Sequence, residues 1–468
     1  MLIQPFGTTL SKIGDQIFLR CDPKYRHFWD NKHGEVLTNQ EHVALRAILS
    51  VSSKEVIKKG ELDEEYVLLG IDTSEPRDGQ LRDLPTTMCI GSDKLLLRYA
   101  DLIITKLGAT RGYVFDNTLK GHNIIGSTEL IPYKLLNHSY YQAFLKYLLL
   151  LPVYLLAYAH LESGKTPSHW RVNPLDLLRI RIPKVTKESQ STILKRATPL
   201  QRRINKLKDS LISPLDVINR VFAREFQYSP QEYERCAKQD TYQEALRNIG
   251  RSFLLRSSVK FHHPKYDYLQ EILRHHPSIK LKNLCAKEIR RGVQPKYERD
   301  GDVLVVKTVN LKNEFLDFSE PEYVTHEFFE ANLSAAIKEN DILVSSTGEG
   351  RGKVDIYNIE DTAIADSHIS IVGLDQTVNH YYVLYFMRSL LGKMQLETLE
   401  IAVKGTPEIY PEQLGQLWII ALDPKKQDEI GEEVTSELQE IQKQKAEIQR
   451  LRDQIDEILI DEIMKEAK

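Results

Sequence analysis

The sequence predicts an α+β chain in which two repeated mixed α/β domains are separated by long helices forming an antiparallel coiled coil. Three observations carry that reading. Residues 101–115 read DLIITKLGATRGYVF and residues 341–355 read DILVSSTGEGRGKVD, and a shift of 240 sets Asp101, Gly108, Arg111, Gly112 and Val114 on Asp341, Gly348, Arg351, Gly352 and Val354. The register persists through most of each half, giving units far too long for a solenoid repeat and suited to compact domains. Finally, Val434, Ile441, Ile448 and Ile455 recur every seven residues, with Leu438, Leu451, Ile458 and Leu459 between them. That is the spacing of a coiled-coil seam.

Taken in order, Pro23-Lys24-Tyr25 matches Pro264-Lys265-Tyr266, and Ile57-Lys58-Lys59-Gly60 resembles Ile289-Arg290-Arg291-Gly292. The apolar runs 66–71 and 303–306 predict short strands. The organising stretch predicts a hairpin: strand 102–105 or 342–345, a glycine loop, then a second short strand. Its loop carries Lys106, Thr110 and Arg111 in the first copy, and Ser345, Ser346, Glu349 and Arg351 in the second. A buried helix follows at 140–151 and 381–391, with Tyr140-Tyr141 set on Tyr381-Tyr382 and, before it, Ser127 on Ser367. Next comes a second polar loop, 163–170 or 404–410, with Thr166-Pro167 on Thr406-Pro407 and Trp170 on Tyr410. Leu177, Ile180 and Ile182 then meet Leu417, Ile420 and Leu422 around a last strand. After a small deletion Gln190 and Ile193 meet Gln427 and Ile430.

Beyond that strand both halves turn helical. The first arm carries a seam at Ile193, Ala197, Leu200, Ile204, Leu207 and Leu211, with Pro199 inside it predicting a kink or restart. The C-terminal helix, 427–468, would be about 60 Å long. A long helix with one apolar seam needs a partner, and the other arm of the same chain is the nearest. The stretch 213–252 has no counterpart in the second half. Ser213-Pro214 starts a helix over 214–225, and further helices are expected at 231–236 and 242–255. The boundaries are therefore 1–185 for the first domain, 186–252 for the helical spacer with its insert, 253–424 for the second domain and 425–468 for the coiled-coil helix.

Composition narrows the function. The 468 residues hold four cysteines, far apart and without metal-ligand spacing. A reducing, cytoplasmic setting and no metal are expected. No signal peptide is recognised, and the apolar run 147–159 is too short to span a bilayer and contains Pro152, so no membrane is expected. The net charge of −3 averages unlike segments: residues 428–468 hold thirteen acidic against six basic residues, whereas 280–307 hold eight basic against four acidic. Basic faces are thus available on the repeats. The acidic arm is better suited to protein than to phosphate.

The motifs exclude several chemistries. Residues 348–353 invite a phosphate-loop reading, but the spacing is wrong and Val354 stands where Ser or Thr would hold magnesium. Asn173-Pro174-Leu175 lacks the second proline and the aromatic of an adenine-methylating loop. No nuclease or metal constellation stands out, so the chain reads as non-catalytic and binds no cofactor itself. Each domain keeps two polar loops with Arg, Lys, Ser, Thr and an aromatic. Arg and Lys can take phosphates, and bidentate side chains can read base edges. An ordinary hairpin turn is the plainer account of one glycine loop. The DNA-binding candidates are Lys106, Thr110, Arg111, Lys165, Thr166 and Trp170 in the first copy, and Ser346, Arg351, Lys353, Lys404, Thr406 and Tyr410 in the second. The candidate helix-pairing residues are Ile193, Leu200, Ile204, Leu207 and Leu211 with Val434, Ile441, Ile448 and Ile455.

In this order of parts the sequence resembles the specificity (S) subunits of type I restriction-modification systems. The resemblance rests on the duplicated strand and glycine loop (Asp101 to Gly112, Asp341 to Gly352) and on the Gly-containing T-P loops, Thr166-Pro167 and Thr406-Pro407, ending in Trp170 and Tyr410. It rests also on the segment Ile180 to Pro183 leading through Gln190 into a helix, weaker in the second half. It implies two target recognition domains, each reading one half of a bipartite, asymmetric double-stranded DNA target, with the helices setting the spacer. It further implies adenine methyltransferase subunits that dock on the helices and carry S-adenosylmethionine, and a motor-nuclease restriction subunit using ATP and Mg. Two alternatives stay open: a scaffold or adaptor of a defence complex, and the specificity subunit of a related two-subunit restriction enzyme.

Overall fold

The computed structural model describes residues 41–466 apart from 53–54, 72–75, 82–83, 165–168, 240–261, 299, 349, 400 and 404–405, with backbone alone at 401–403 and 406. The expected match of Pro23 to Tyr25 and the expected helix over 242–255 lie outside these residues or largely so. The chain divides into two compact units. Unit 1 comprises 1–209 with 447–468, and unit 2 comprises 210–446.

In unit 1 an antiparallel sheet runs in the order Leu49–Val51, Leu130–Leu135, Leu102–Thr105, Val114–Asp116. A second sheet runs Val56–Ile57, Lys94–Leu96, Ile124–Ser127, Gly60–Leu69, Thr86–Ile90, and its only parallel neighbours among the described pairs are Ile124–Ser127 and Gly60–Leu69. Two small ribbons pair His42–Ala44 with Arg181–Pro183 and Glu162–Ser163 with Arg171–Val172. Unit 2 builds the same set with one strand fewer in its second sheet. Its first sheet is Arg290–Arg291, Ile369–Val372, Ile342–Ser345, Val354–Ile356. Its second is Ala336–Ile337, Ala363–Ala365, Val303–Val306, Glu322–Val324, again with one parallel pair in the middle. Its ribbons pair Ser278–Lys280 with Trp418–Ile420 and Ile401–Val403 with Thr406–Glu408.

Equivalent hydrogen bonds fix the register between the copies better than side-chain identity does. The offset is 240 at the central strands, where Asn117 N–H donates to Asp101 O and Tyr357 N–H to Asp341 O, both at 2.9 Å. It becomes 239 at the neighbouring strand, since Leu130 faces Thr105 and Ile369 faces Ser345. Through the buried helices it is 238, and from Arg171 onward 237, where Leu45 N–H meets Ile180 O and Leu281 N–H meets Leu417 O. One residue is thus lost at each of three connections after the glycine-loop hairpin, which itself keeps its length. Several matches expected from sequence identity are corrected by this. Tyr140-Tyr141 does not overlie Tyr381-Tyr382, Ser127 does not overlie Ser367, and Leu177, Ile180 and Ile182 correspond to Leu414, Leu417 and Ile419. Ile57 and Gly60 lie in separate strands of the second sheet of unit 1, whereas Arg290–Arg291 belongs to the first sheet of unit 2. The matches of Gln190 with Gln427 and Ile193 with Ile430 hold at the offset of 237.

The helices used below are α1 (Gln142–Leu150), α2 (Pro152–Leu161), α3 (Lys187–Asp209), α4 (Pro214–Phe226), α5 (Pro230–Ala237), α6 (Pro264–His275), α7 (His380–Arg388), α8 (Leu390–Leu399) and α9 (Pro424–Glu466). The apolar run 147–159 is divided between two helices: Leu151 takes an extended conformation before Pro152, and α1 and α2 meet at a 75° bend. No single helix among the described residues is long and apolar enough to cross a membrane.

Each unit closes its core with part of α9. In unit 1, Ile193, Ala197 and Ile204 of α3 share one cluster with Ile448, Leu451, Ile455, Leu459 and Ile463, and Leu200 and Leu207 pack against it. The charged rim runs antiparallel: Arg196 pairs with Glu462 at 2.7 Å and Arg203 with Glu447 at 2.8 Å. In unit 2, Ile218, Val221, Phe222 and Phe226 of α4 join Ile430 and Val434. There Arg220 pairs with Glu437 and Arg224 with Glu433, the latter at 2.6 Å, again antiparallel. Ile441 is buried as well. The expected restart at Pro199 is absent, because α3 runs unbroken through it. Burial of Ile193, Ala197 and Ile204 on both sides of the proline supplies what its missing N–H withholds. Leu211 lies past the end of α3 and is only half-buried. The acidic arm, expected to offer its charge to other proteins, spends four of these carboxylates on arginines of its own chain.

Candidate nucleic-acid interface

The glycine loop of unit 1 is a one-turn 3-10 helix, Ala109–Arg111, bounded by two left-handed glycines, Gly108 (φ 58°) and Gly112 (φ 80°). Left-handed backbone on both sides lets the five residues 108–112 reverse the chain, which is why both glycines stand in the repeat. Beneath it, Thr105 Oγ–H donates to Leu107 O at 3.0 Å, and at the equivalent place Ser345 Oγ–H donates to Thr347 O at 3.4 Å. Gly112 O accepts from Arg77 N–H at 2.9 Å, and Arg77 holds Asp456 at 2.6 Å. Burial pushes the Asp456 carboxyl up to about 6 against the opposing pull of Arg77.

The second polar loop is joined to the first by its backbone. Val172 N–H donates to Lys106 O at 3.0 Å, Gly108 N–H to Trp170 O at 3.3 Å, and Lys106 N–H to Glu129 O at 2.7 Å. Thr110 donates through N–H and hydroxyl to Glu162 Oε1 at 3.3 and 3.4 Å. Burial raises the Glu162 carboxyl, with Thr110 and Arg111 opposing. In unit 2 the same joint recurs: Ile409 N–H donates to Ser346 O at 3.1 Å and Ser346 N–H to His368 O at 2.8 Å. The joint therefore places three chain segments side by side in each unit, carrying Lys106, Glu129 and Arg171 in one and Ser346, His368 and Glu408 in the other.

Of the residues singled out from sequence, Arg111 and Trp170 are exposed at this joint, and Lys106 and Thr110 are half-buried. Lys106 Nζ donates to Thr128 O at 2.5 Å. Arg351 turns back on its own loop, donating to Gly348 O at 3.1 Å, and Lys353 is half-buried beside Gly350. Ser345 and Ser346, expected on the loop surface, are instead buried. The Ser346 hydroxyl shares a hydrogen bond with Ser370 at 2.9 Å, and both its backbone groups are committed to the joint. Ser346 thus holds the loop from beneath. Lys165, Thr166 and Lys404 lie outside the described residues, and Thr406 is described only as strand backbone opposite Val403. Trp170 and Tyr410 are not equivalents. Tyr410 is the N-cap of the helical turn Pro411–Leu414, as Asn173 is of Pro174–Leu177, so Trp170 stands three positions earlier in the frame.

Other side chains at the joint have no motif to mark them. Arg171 Nε donates to both oxygens of Glu129, at 3.1 and 3.0 Å, and its Nη1 to His169 O at 3.2 Å. In unit 2, Arg291 donates through Nε to Ser367 O at 2.6 Å and through its other nitrogens to Glu408 Oε2 at 3.3 and 3.4 Å, with its guanidinium 5.5 Å from the Tyr410 ring centre. Thr347 Oγ and His368 Nδ1 lie 2.9 Å apart. Only the basic run 280–307, which contains Arg291, gave a compositional hint.

Two buried ion pairs brace the hairpins. Asp116 meets Lys146 of α1 at 3.0 Å, and Asp355 meets Arg388 of α7, whose Nε also donates to Val354 O at 2.8 Å. Burial drives the Asp355 carboxyl up to about 6, with Arg388 pulling the other way. The pairs sit at inequivalent positions of the two frames, so each unit solved the same bracing problem separately. Among the described residues no group of three or more His, Cys, Asp or Glu could hold a metal ion.

No protein-family model matches the chain, and a search of curated proteins gives no match. Solved structures do. The S subunit of a type I restriction-modification system from M. genitalium aligns at 14% identity over 90% of this chain and 95% of that chain, with a TM-score of 0.43. A chain from a structure on complex assembly and conformational transition of the type I R-M system aligns at 12% identity over 90% and 97%, TM-score 0.38. The HsdS subunit from Thermoanaerobacter tengcongensis aligns at 13% identity over 92% and 96%, TM-score 0.29. Two of these chains are described as S or HsdS subunits, the kind of protein that the sequence resembles.

Proposed function

We propose that this chain is the non-catalytic DNA sequence-recognition subunit of a type I restriction-modification complex. Each unit reads one half of a bipartite, asymmetric target in double-stranded DNA, and the paired helices set the spacer and dock adenine methyltransferase subunits. S-adenosylmethionine belongs to those subunits, ATP and Mg to a motor-nuclease partner. One observation carries the reading: the same three-segment joint, tied by two equivalent backbone hydrogen bonds, occurs in both units while its side chains differ. A duplicated frame with exchanged side chains is what unequal half-sites require, since backbone fixes position and side chains specify bases. Arg111, Trp170 and Arg171 supply an exposed cationic and aromatic surface on the first joint.

The test is a map of N6-methyladenine in genomic DNA of the host with and without this gene. Loss of methylation at a split motif is expected, and the map then names both half-sites and the spacer together. Unchanged methylation, with an active methyltransferase partner present, would overturn the proposal in favour of a scaffold.

A further inference from the structure

Arg171 and Glu408 occupy one position of the common frame. Each immediately precedes the residue, Val172 or Ile409, whose N–H closes the joint onto Lys106 or Ser346. The charge at that position is opposite in the two units. So is the partner that neutralises it, Glu129 for Arg171 and Arg291 for Glu408.

The two pairs also differ in what they leave to solvent. Arg171 is held at its Nε side by Glu129 and at Nη1 by His169 O, and its side chain keeps 43% exposure. Arg291 is engaged at Nε and at both terminal nitrogens, is covered by Tyr410 and keeps 29%. A guanidinium held at Nε on one side and at Nη1 on the other is oriented, and its remaining donors, on Nη2 and the second hydrogen of Nη1, can form a planar fork suited to two acceptors in one plane. Guanine offers such a pair, O6 and N7, at its major-groove edge. Unit 2 carries a carboxylate at the same position, with its countercharge committed, and so lacks that fork.

We propose that Arg171 is a specificity-determining residue that reads a guanine in the half-site of unit 1, and that the exchange of Arg171 for Glu408 in the frame makes the half-sites unequal. This rests on the function proposed above. Glu129 is the positioning residue, because it fixes the guanidinium plane without itself facing the base.

The experiment is the methylation map repeated in hosts carrying the wild-type gene, Arg171→Ala or Arg171→Lys, with binding of the purified variants to duplexes bearing each base at the affected position. The expected result is a fixed guanine in one half-site that both variants relax to several bases, while the other half-site and the spacer stay unchanged. Discrimination against the wrong base should fall by roughly tenfold or more. Lysine keeps the charge, so Arg171→Lys should retain the shared affinity and lose the preference. Should Arg171→Ala abolish methylation, Arg171→Lys decides by the same criterion. A wild-type motif retained by Arg171→Lys, or a relaxed position in the other half-site, overturns the assignment and leaves the recognition reading intact. The absence of any split motif in the wild-type host overturns both.

Discussion

Replacing Gln190 and its counterpart Gln427 by alanine should give unequal losses, and the inequality can be worked out from their contacts. Gln190 is fully buried. Its Oε1 accepts from Tyr141 N–H at 2.8 Å, and its Nε2 donates to Ser139 O at 3.0 Å and Val185 O at 2.8 Å. It ties the end of the last strand and the start of α3 to the N-cap of α1. Alanine leaves one N–H and two carbonyls without partners inside unit 1. At about 1–3 kcal/mol for each orphaned group, a loss of about 2–6 kcal/mol follows even if one is rehydrated. Gln427 makes the same kind of tie, accepting from Asn379 N–H at 3.2 Å and donating to Leu422 O at 2.9 Å, but it is half-buried. Water reaches what it leaves, so about 1 kcal/mol is expected. Amide hydrogen exchange measures both in the intact chain. The Tyr141 amide should exchange roughly 100-fold faster in Gln190→Ala, and the Asn379 amide only a few-fold faster in Gln427→Ala. An unchanged Tyr141 amide, or a Gln427→Ala loss as large as the Gln190→Ala loss, would refute the reasoning.

Further outcomes follow from the same contacts. The Asp355 carboxyl is raised by burial from 3.8 to about 6, so the folded state binds its proton more tightly than the unfolded state. Its contribution to the stability of unit 2 is therefore full below about pH 4 and declines as pH rises to about 6, by about 1–3 kcal/mol. Urea unfolding across that range should show the decline in wild type and not in Asp355→Asn. Gly112 and Gly348 both have positive φ, but a Cβ on Gly112 would lie 2.9 Å from Arg77 Cγ, whereas Gly348 has nothing within 4 Å. Gly112→Ala should cost about 2 kcal/mol or more and Gly348→Ala about 1 kcal/mol, read by thermal unfolding. Arg111→Ala and Arg351→Ala should each weaken binding to one half-site about tenfold and lower the salt slope by about 1, read by fluorescence anisotropy. Unchanged affinity in both would return the glycine loops to ordinary turns.

The duplicated hairpins were legible because their residues are under backbone constraint. Left-handed turns call for Gly108 and Gly112, and the fully buried strands Leu102–Thr105 and Ile342–Ser345 call for apolar runs. The seam of α9 was legible for a similar reason, since a period of seven survives any exchange of surface residues. The loops were read less well. The three connections after the glycine hairpin each shed one residue between copies, and matching of like residues bridged those losses with chance pairs such as Trp170 with Tyr410. Burial of Ser346 was hidden because serine is equally at home under a loop or on it. The pairs Arg171–Glu129 and Arg291–Glu408 join residues 42 and 117 positions apart, and no local pattern announces such a meeting. The continuity of α3 through Pro199 likewise depends on packing that propensity does not see.

The helix α9 contributes its first part to unit 2 and its last part to unit 1, which has a consequence for how the chain is made. Unit 2 is contiguous, 210–446, whereas unit 1 needs both 1–209 and 447–468. On the ribosome the earlier-translated unit must therefore be completed after the later one. Until residues 447–466 emerge, Ile193, Ala197 and Ile204 lack the partners Ile448, Leu451, Ile455 and Leu459 that cover them in the finished protein. The nascent chain carries an open apolar groove through the whole synthesis of unit 2, an interval in which chaperones, premature pairing with another nascent copy, or aggregation compete for it.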